Sequence, residues 1–353
     1  MANVTKRPRS TAPADAERAP AARLRAAARP LALDRVARNY GLVGAWIAIA
    51  VVFALLEPAT FGTMDNAQTI LGSQSVVLFL ALGLMVALKV GDFDVSTAFV
   101  MAASAVILAK LNVEHGWPIV AAIAVALAMA VVVGLLNALL VVYLGVNSFI
   151  VTLGTGTVLL GASQWLTSSQ TISGVSQSLV DWTIGNRLLG ISVQFWYGVA
   201  LCLLLAFVLG RTIVGRRVAF VGGSHTVARL SGLNVRRIRT GTFVVAALLS
   251  ALAGVIYVGS QGGIDPSSGQ NMLLPTFAAA FLGATAVTPG RFNTWGTFIA
   301  VYFLVTGITG LQLVGAQSYV QNVFYGAALV VAVTLSRLLV GRSASETDAS
   351  GAS

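Results

Sequence analysis

Apolar residues gather in ten long stretches separated by short polar breaks: 41–56, 70–88, 95–109, 117–142, 146–166, 193–209, 242–259, 273–287, 295–313 and 320–335. A helix needs roughly 20 mostly apolar residues, with a range of about 17–25, to cross a bilayer. The pattern predicts an all-α, polytopic membrane protein of about ten transmembrane helices. The third and eighth stretches are short, and the eighth contains Pro275. Each is expected to be tilted, broken or partly re-entrant. Non-helical backbone at membrane depth survives only under cover of protein or beside a water-filled cavity. Small and hydroxyl residues such as Gly154, Thr155, Gly156, Gly161, Ala162 and Ser163 suit close helix packing.

Composition agrees with the pattern. Of 353 residues, 57% are hydrophobic and 10% are charged, with a mean hydropathy of +0.85. An ordinary soluble domain carries about 25% charged residues. A soluble enzyme is thereby excluded, and so is a nucleic-acid module with its nucleic-acid partner. The single cysteine, Cys202, excludes an internal disulfide framework and a multi-cysteine zinc site.

The net charge of +10 matters by position. If the spans alternate from a cytoplasmic N-terminus, all of the 22 Lys and Arg except Lys110 and Arg187 fall inside. The inner set is nine before Tyr40, Lys89, seven arginines from Arg211 to Arg239, Arg291, Arg337 and Arg342. Basic residues favour the cytoplasmic side, so both termini are expected there, in a bacterial inner membrane. Trp117, Trp165 and Trp196 then lie at outer ends and Trp295 at an inner end, where amphipathic rings settle.

Three domain regions follow. Residues 1–40 read as a disordered basic cytoplasmic tail able to touch anionic lipid, without the apolar core of a cleavable signal. Residues 41–340 form the membrane domain, with one long cytoplasmic loop over 211–240. Residues 341–353 read as a second disordered cytoplasmic tail. The outer loop 167–192 is expected to carry a short amphipathic helix. No internal repeat is evident.

Several chemistries are absent. The three lysines, Lys6, Lys89 and Lys110, neither follow a glycine nor precede Ser or Thr, so there is no P-loop and the chain does not read as an enzyme. Energy must come from a partner or an ion gradient. Ionisable residues are nearly missing from the spans, which counts against an ion-coupled carrier. His115 and His225 fall in loops on opposite faces, form no catalytic pair and read as solvated residues.

Two segments stand out. Gly91-Asp92-Phe93-Asp94-Val95-Ser96 interrupts two apolar stretches. Its carboxylates read either as helix N-caps or as groups at a hinge or permeation path. In the 211–240 loop, Ser224 is a good N-cap and Gly232 a good stop, predicting a helix of about two turns. Val227, Leu230 and Leu233 recur every third residue and present an apolar stripe outside the membrane. Such a stripe fits a partner protein or the bilayer surface.

These segments carry a resemblance. Ala228-Arg229-Leu230-Ser231-Gly232-Leu233-Asn234-Val235 resembles the cytoplasmic coupling loop of ABC-importer permeases of the ribose/arabinose/xylose type. Gly91-Asp92-Phe93-Asp94-Val95-Ser96 resembles that family's G-x-[IF]-D-L-S motif. Asn137-Ala138-Leu139-Leu140 with Asn147-Ser148-Phe149-Ile150-Val151-Thr152-Leu153-Gly154-Thr155 resembles another of its segments. Leu282-Gly283-Ala284-Thr285 and Trp295-Gly296-Thr297 resemble two further elements. The similarity runs in order over about 67–335. The chain departs from the pattern in lacking a Glu at Thr226 or Val227, in Thr97-Ala98 after Ser96, and in Ala284 for a glycine.

The resemblance implies a type II ABC-importer-like permease fold and transport of a small neutral sugar. It implies an ABC ATPase partner holding the ATP and Mg, with no cofactor in this chain. It further implies a second permease copy or a related permease, and an extracytoplasmic sugar-binding protein. Ser224, His225, Val227, Ala228, Arg229, Leu230, Ser231, Gly232 and Leu233 would form the ATPase-coupling helix. Asn137, Asn147, Thr152, Thr155 and Gln164 are candidate path residues by polarity, or else make interhelical hydrogen bonds. An ion-coupled carrier, or a permease for another solute such as a signalling molecule, remains the alternative.

Overall fold

The computed structural model describes residues 32–351, with side-chain surroundings for 39–335. The first half holds α1 (Ala32–Leu56), α2 (Met64–Ser73), α3 (Ser75–Leu88), α4 (Thr97–Ala109), α5 (Ile119–Ala138), α6 (Ser148–Thr167) and α7 (Gln177–Val180). The second holds α8 (Val193–Arg211), α9 (Ile213–Gly223), α10 (His225–Leu230), α11 (Val235–Gln261), α12 (Ser268–Gly283), α13 (Thr294–Leu313) and α14 (Ser318–Gly351). The only strands among the described residues are four two-residue pieces, β1 (Ile172–Ser173), β2 (Arg187–Leu188), β3 (Ile191–Ser192) and β4 (Gly263–Ile264). The helices reach into both expected tails, since α1 begins at Ala32 and α14 ends at Gly351. The remaining tail positions, 1–31 and 352–353, lie outside the described residues.

Among the described residues, eight helices are long and apolar enough to cross a membrane, and up to nine if a bent pair counts as one span. That is an all-α, multi-pass membrane architecture. The expected irregularities are found in the eighth stretch but not in the third, and one unexpected break appears in the second. The broken span is the second, where α2 and α3 meet at a 41° bend around Gln74. At the break, Ser73 Oγ donates back to the Ile70 carbonyl at 3.3 Å, a side-chain bond that competes with the helical ladder. The third span is full: a π-helical turn, Lys110–Glu114, extends α4 to 18 residues. The eighth, α12, is a 16-residue helix carrying Pro275 in its interior. At about 1.5 Å per residue it falls short of the hydrocarbon thickness.

The core is built on α3, α4 and α11. Leu78, Leu80, Ala81, Leu82, Leu84 and Met85 leave α3 no exposed face. Helix α11 packs along α3, α4 and α5. Glycine makes this closeness possible. Gly83 faces the Ala246 backbone, and Gly254 lies against the Met101 carbonyl, where any Cβ would crowd it. Close backbone approach is the main source of attraction between helices in lipid, where no hydrophobic drive remains. Helices α1, α5, α6, α8 and α14 expose Ile47, Val120, Val158, Phe207 and Val330 on the periphery, as lipid-facing helices must.

The connections gather at two ends. At one, β1 pairs antiparallel with β4, the Ser176 amide donates to Asn112 Oδ1 at 2.9 Å, and β3 lies beside α2. The loop after α6 holds the one-turn α7 and a π-helical turn, Asp181–Gly185, with Leu179 and Thr183 buried against Gly259. At the other end, Lys89 Nζ donates to the Phe292 carbonyl at 2.9 Å. There the Val287 amide also reaches the Asn39 carbonyl at 2.8 Å.

Candidate functional site

The linker from Lys89 to Ser96 joins α3 to α4 and is held from five directions. Gly91 takes φ +86°, a left-handed turn that a side chain would strain. The Val90 carbonyl accepts from His225 Nε2 at 2.7 Å, which requires the proton on that nitrogen. Asp92, 2% exposed, accepts both prongs of the Arg239 guanidinium, Nε at 2.8 Å and Nη2 at 2.5 Å. Such a fork is among the strongest side-chain contacts. The Phe93 amide donates to Ser148 Oγ at 3.1 Å and the Val95 amide to Thr152 Oγ1 at 3.0 Å. Lys89, through Phe292, ties in the connection between α12 and α13.

Asp94 turns inward. Its Oδ1 accepts from the Ser96 amide at 3.0 Å and from Ser96 Oγ at 2.6 Å. That is an Asx-turn just ahead of α4, whose N-cap position is Ser96 and carries no side-chain cap bond, so Asp94 does not cap the helix as expected. Asn137 Nδ2 in turn donates to Ser96 Oγ at 2.9 Å. Burial pushes the Asp94 carboxyl up to about 6 against the pull of those Ser96 bonds, and the neighbouring Asp92 charge adds to the rise. Burial, and then the charge of Arg291, lowers the Lys89 amine.

Helix α10 sits directly on this linker. Ser224 Oγ caps it by accepting from the Val227 amide at 3.3 Å. Gly232 ends it at φ +80°. The Gly232 amide donates to the Arg229 carbonyl at 3.0 Å and the Leu233 amide to Ala228 at 3.1 Å, the paired bonds of a glycine C-cap. Ala228 is buried in a small cluster with Val90, Val218, Val221 and Val235, and Leu233 packs onto it. Two expectations therefore change. Leu233 leaves the exposed stripe, because the chain reversal at Gly232 folds it inward. His225 is half-buried rather than solvated, because it holds Val90. Val227 and Leu230 stay outside at 52% and 84% exposure, with Arg229 and Ser231 beside them. Ahead of α10, Gly222 lies so close to the Lys89 carbonyl that a Cβ would collide with it.

The five polar residues of the fourth and fifth spans do not converge. Asn137 and Thr152 are buried at the linker. Asn147 is the exposed cap of α6, accepting from the Phe149 amide at 2.9 Å. Thr155 bonds within its own helix, to the Val151 carbonyl at 2.9 Å. Gln164 is half-buried roughly 24 Å along α6 from its start, by helical rise. The described cavities are lined by other residues. No group of three or more His, Cys, Asp or Glu side chains converges among the described residues.

Two features escaped the sequence pattern. Seven arginines share the long loop and its flanks, and spacing does not single out Arg239. An internal echo was also legible. Gly290-Arg291-Phe292-Asn293 repeats the order Gly91-Asp92-Phe93-Asp94. Both glycines are left-handed, at +81° and +86°. Asn293 caps the next helix, accepting from the Gly296 amide at 2.7 Å, whereas Asp94 closes an Asx-turn on Ser96 just ahead of α4. The two linkers touch through Lys89.

The sequence is similar to those of known transport permeases. A family model described as branched-chain amino acid transport system / permease component matches residues 66–333. The D-allose transport system permease protein AlsC of Escherichia coli is 27% identical over 301 residues, covering 85% of this chain and 92% of that protein. The probable ABC transporter permease protein YphD of Escherichia coli is 30% identical over 87% of this chain and 93% of its own length. The L-arabinose ABC transporter permease protein AraH of Azospirillum brasilense is 29% identical over 83% of this chain and 86% of its own. No solved structure matches the chain. The chain belongs to this permease family of ABC importers and is related to its ribose- and arabinose-type members.

Proposed function

We propose that this chain is the membrane subunit of an ATP-driven importer for a small neutral sugar. A separate ATPase inside would drive it, and a binding protein outside would deliver the solute. The observation that carries the reading is α10: capped at both ends, anchored through His225 and Ala228 to the 89–96 linker, and presenting Val227 and Leu230 outward. An apolar helix face of this kind seats in a groove of a partner. Because α10 rests on the linker, a push on it reaches α4, α5, α6 and α11 through bonded contacts. The chain would act as a homodimer, or beside a related permease.

We infer ten crossings with both termini cytoplasmic. Support comes from the basic-residue split and from the way connections gather. Those after α2–α3, α8 and α12 share one end; those after α4, α6 and α11 share the other. Helix α12 must then run from end to end despite its length. The sugar class is supported by the names of the allose, ribose and arabinose relatives. The family description also covers branched-chain amino acid systems, so the solute needs a direct assay. A neutral, hydroxylated solute suits spans that offer hydrogen bonds and few counter-ions.

The experiment is uptake into proteoliposomes holding the chain with the ATPase and binding protein encoded beside it, assayed with labelled pentoses, hexoses and branched-chain amino acids. Sugar uptake that requires internal ATP is the expected result. Uptake that follows a proton or sodium gradient with no ATPase bound would overturn the reading.

A further inference from the structure

A groove of about 370 Å³ opens between α8, α9 and α11, beside the linker end of the molecule. Its walls are hydrocarbon, with Leu205 and Val208 on α8, Val214 on α9, Val245 on α11 and Val86 of α3 as the floor. Arg217 and Arg237 line the same groove, and both are exposed. The two ion pairs among the described residues, Asp92–Arg239 and Lys110–Glu114, use neither arginine. Gly241 also lines the groove, and a Cβ there would meet nothing within 4 Å. Leu203, Leu204 and Phe207 of α8 and Ile213 of α9 are exposed close by, so the groove opens on a surface suited to lipid.

Apolar walls call for hydrocarbon, and two unpaired guanidiniums at one site call for an anion. We propose that this groove is a binding site for an anionic phospholipid of the inner leaflet. One acyl chain lies along α8 and α11, and the phosphate is held between Arg217 and Arg237. Basic pockets between membrane helices on the cytoplasmic side take such headgroups. A second copy of the chain is the poorer occupant. The carboxylates of its described linker, Asp92 and Asp94, are both buried and unable to meet the arginines. The site rests on the inner-side placement of the 211–240 loop, and not on the solute transported. A phosphate there would bridge α9 and α11, the helices on either side of α10, and so steady the support on which α10 sits.

The test uses the purified full chain, stripped of lipid in mild detergent and titrated with phosphatidylglycerol or phosphatidylcholine, with retention read by native mass spectrometry. A basic residue near an anionic headgroup is worth about fivefold in affinity, so two give roughly 25-fold preference for phosphatidylglycerol. The double variant Arg217→Gln/Arg237→Gln should lose that preference. Arg211→Gln/Arg216→Gln removes the same charge from exposed positions outside the groove and should keep it. Gly241→Trp fills the groove while sparing both arginines, and should weaken phosphatidylglycerol retention. If Gly241→Trp fails to fold, the two arginine pairs still decide. Equal retention of the two lipids by the unaltered chain, or equal loss from both arginine pairs, would overturn the site. So would a Gly241→Trp variant that retains lipid but no longer associates with a second copy, because the groove would then be a subunit interface.

Discussion

Asp94 shows how much a single buried carboxyl can organise. It receives the amide and hydroxyl of Ser96, and Ser96 receives the amide of Asn137, so one short chain of hydrogen bonds aligns the start of α4 with α5. The two Ser96 bonds call on Asp94 as an acceptor, a role that an amide oxygen can also fill. Leaving a buried donor unpaired costs about 1–3 kcal/mol. The amide freed here has little water to turn to. Asp94→Asn should therefore retain most transport in an uptake assay, while Asp94→Ala should lose most of it. Equal, severe losses in both would mean that the charge itself is needed. Asp92 differs, because its fork with Arg239 is an ion pair, and removing one partner strands a buried charge. The Asp94–Ser96 contact is local in the sequence, but it forms an Asx-turn ahead of α4 and not the N-cap that the pattern suggested. The Asp92 partner was not legible in the sequence, because a contact between residues 92 and 239 leaves no local trace.

Among the elements, α9 and α10 form an arm over the linker, broken at Ser224. Their caps, Thr212, Ser224 and Gly232, set the three breaks, and each is a residue type that sequence rules favour for that position. Helix α10 was accordingly legible almost to the residue. Which of its apolar residues remain outside was not, because the turn at Gly232 redirects Leu233 by tertiary packing. The arm also packs against the linker at Gly222, where a Cβ would collide with the Lys89 carbonyl. A methyl group forced into a packed backbone contact costs about 1–3 kcal/mol. Gly222→Ala should leave the permease inserted and able to bind ATPase, yet reduce transport per ATP hydrolysed, measured as the ratio of uptake to phosphate release. An unchanged ratio would place the contact outside the coupling route.

Across the whole molecule, the apolar pattern located the peripheral helices well, since lipid-facing helices are apolar throughout their length. It flagged the short, proline-bearing eighth span but missed two other irregularities. The break at Gln74 lies inside a stretch whose composition is still apolar on average, and the π-helical turn after Ala109 lengthens a span through polar residues such as Lys110 and Asn112. Helix α12 is the opposite case, short yet continuous despite Pro275. The proposed topology predicts a labelling pattern. In a Cys202→Ser background, a cysteine at Ser176 should react with an impermeant thiol reagent added outside. One at Ser343 should react only once the inner face is opened. The reverse pattern would invert the molecule in the membrane.

The central claim is that α10 transmits ATPase closure to the spans, and substrate-stimulated ATP hydrolysis in the reconstituted complex tests it most directly. Leu230 is the most exposed apolar residue of α10 and holds nothing within its own chain, so Leu230→Asp should insert and fold normally. The account predicts that this variant loses ATPase association or the stimulation of hydrolysis by liganded binding protein, and loses uptake with it. Full stimulation and full uptake by Leu230→Asp would contradict the account and leave α10 as a helix lying on the bilayer surface.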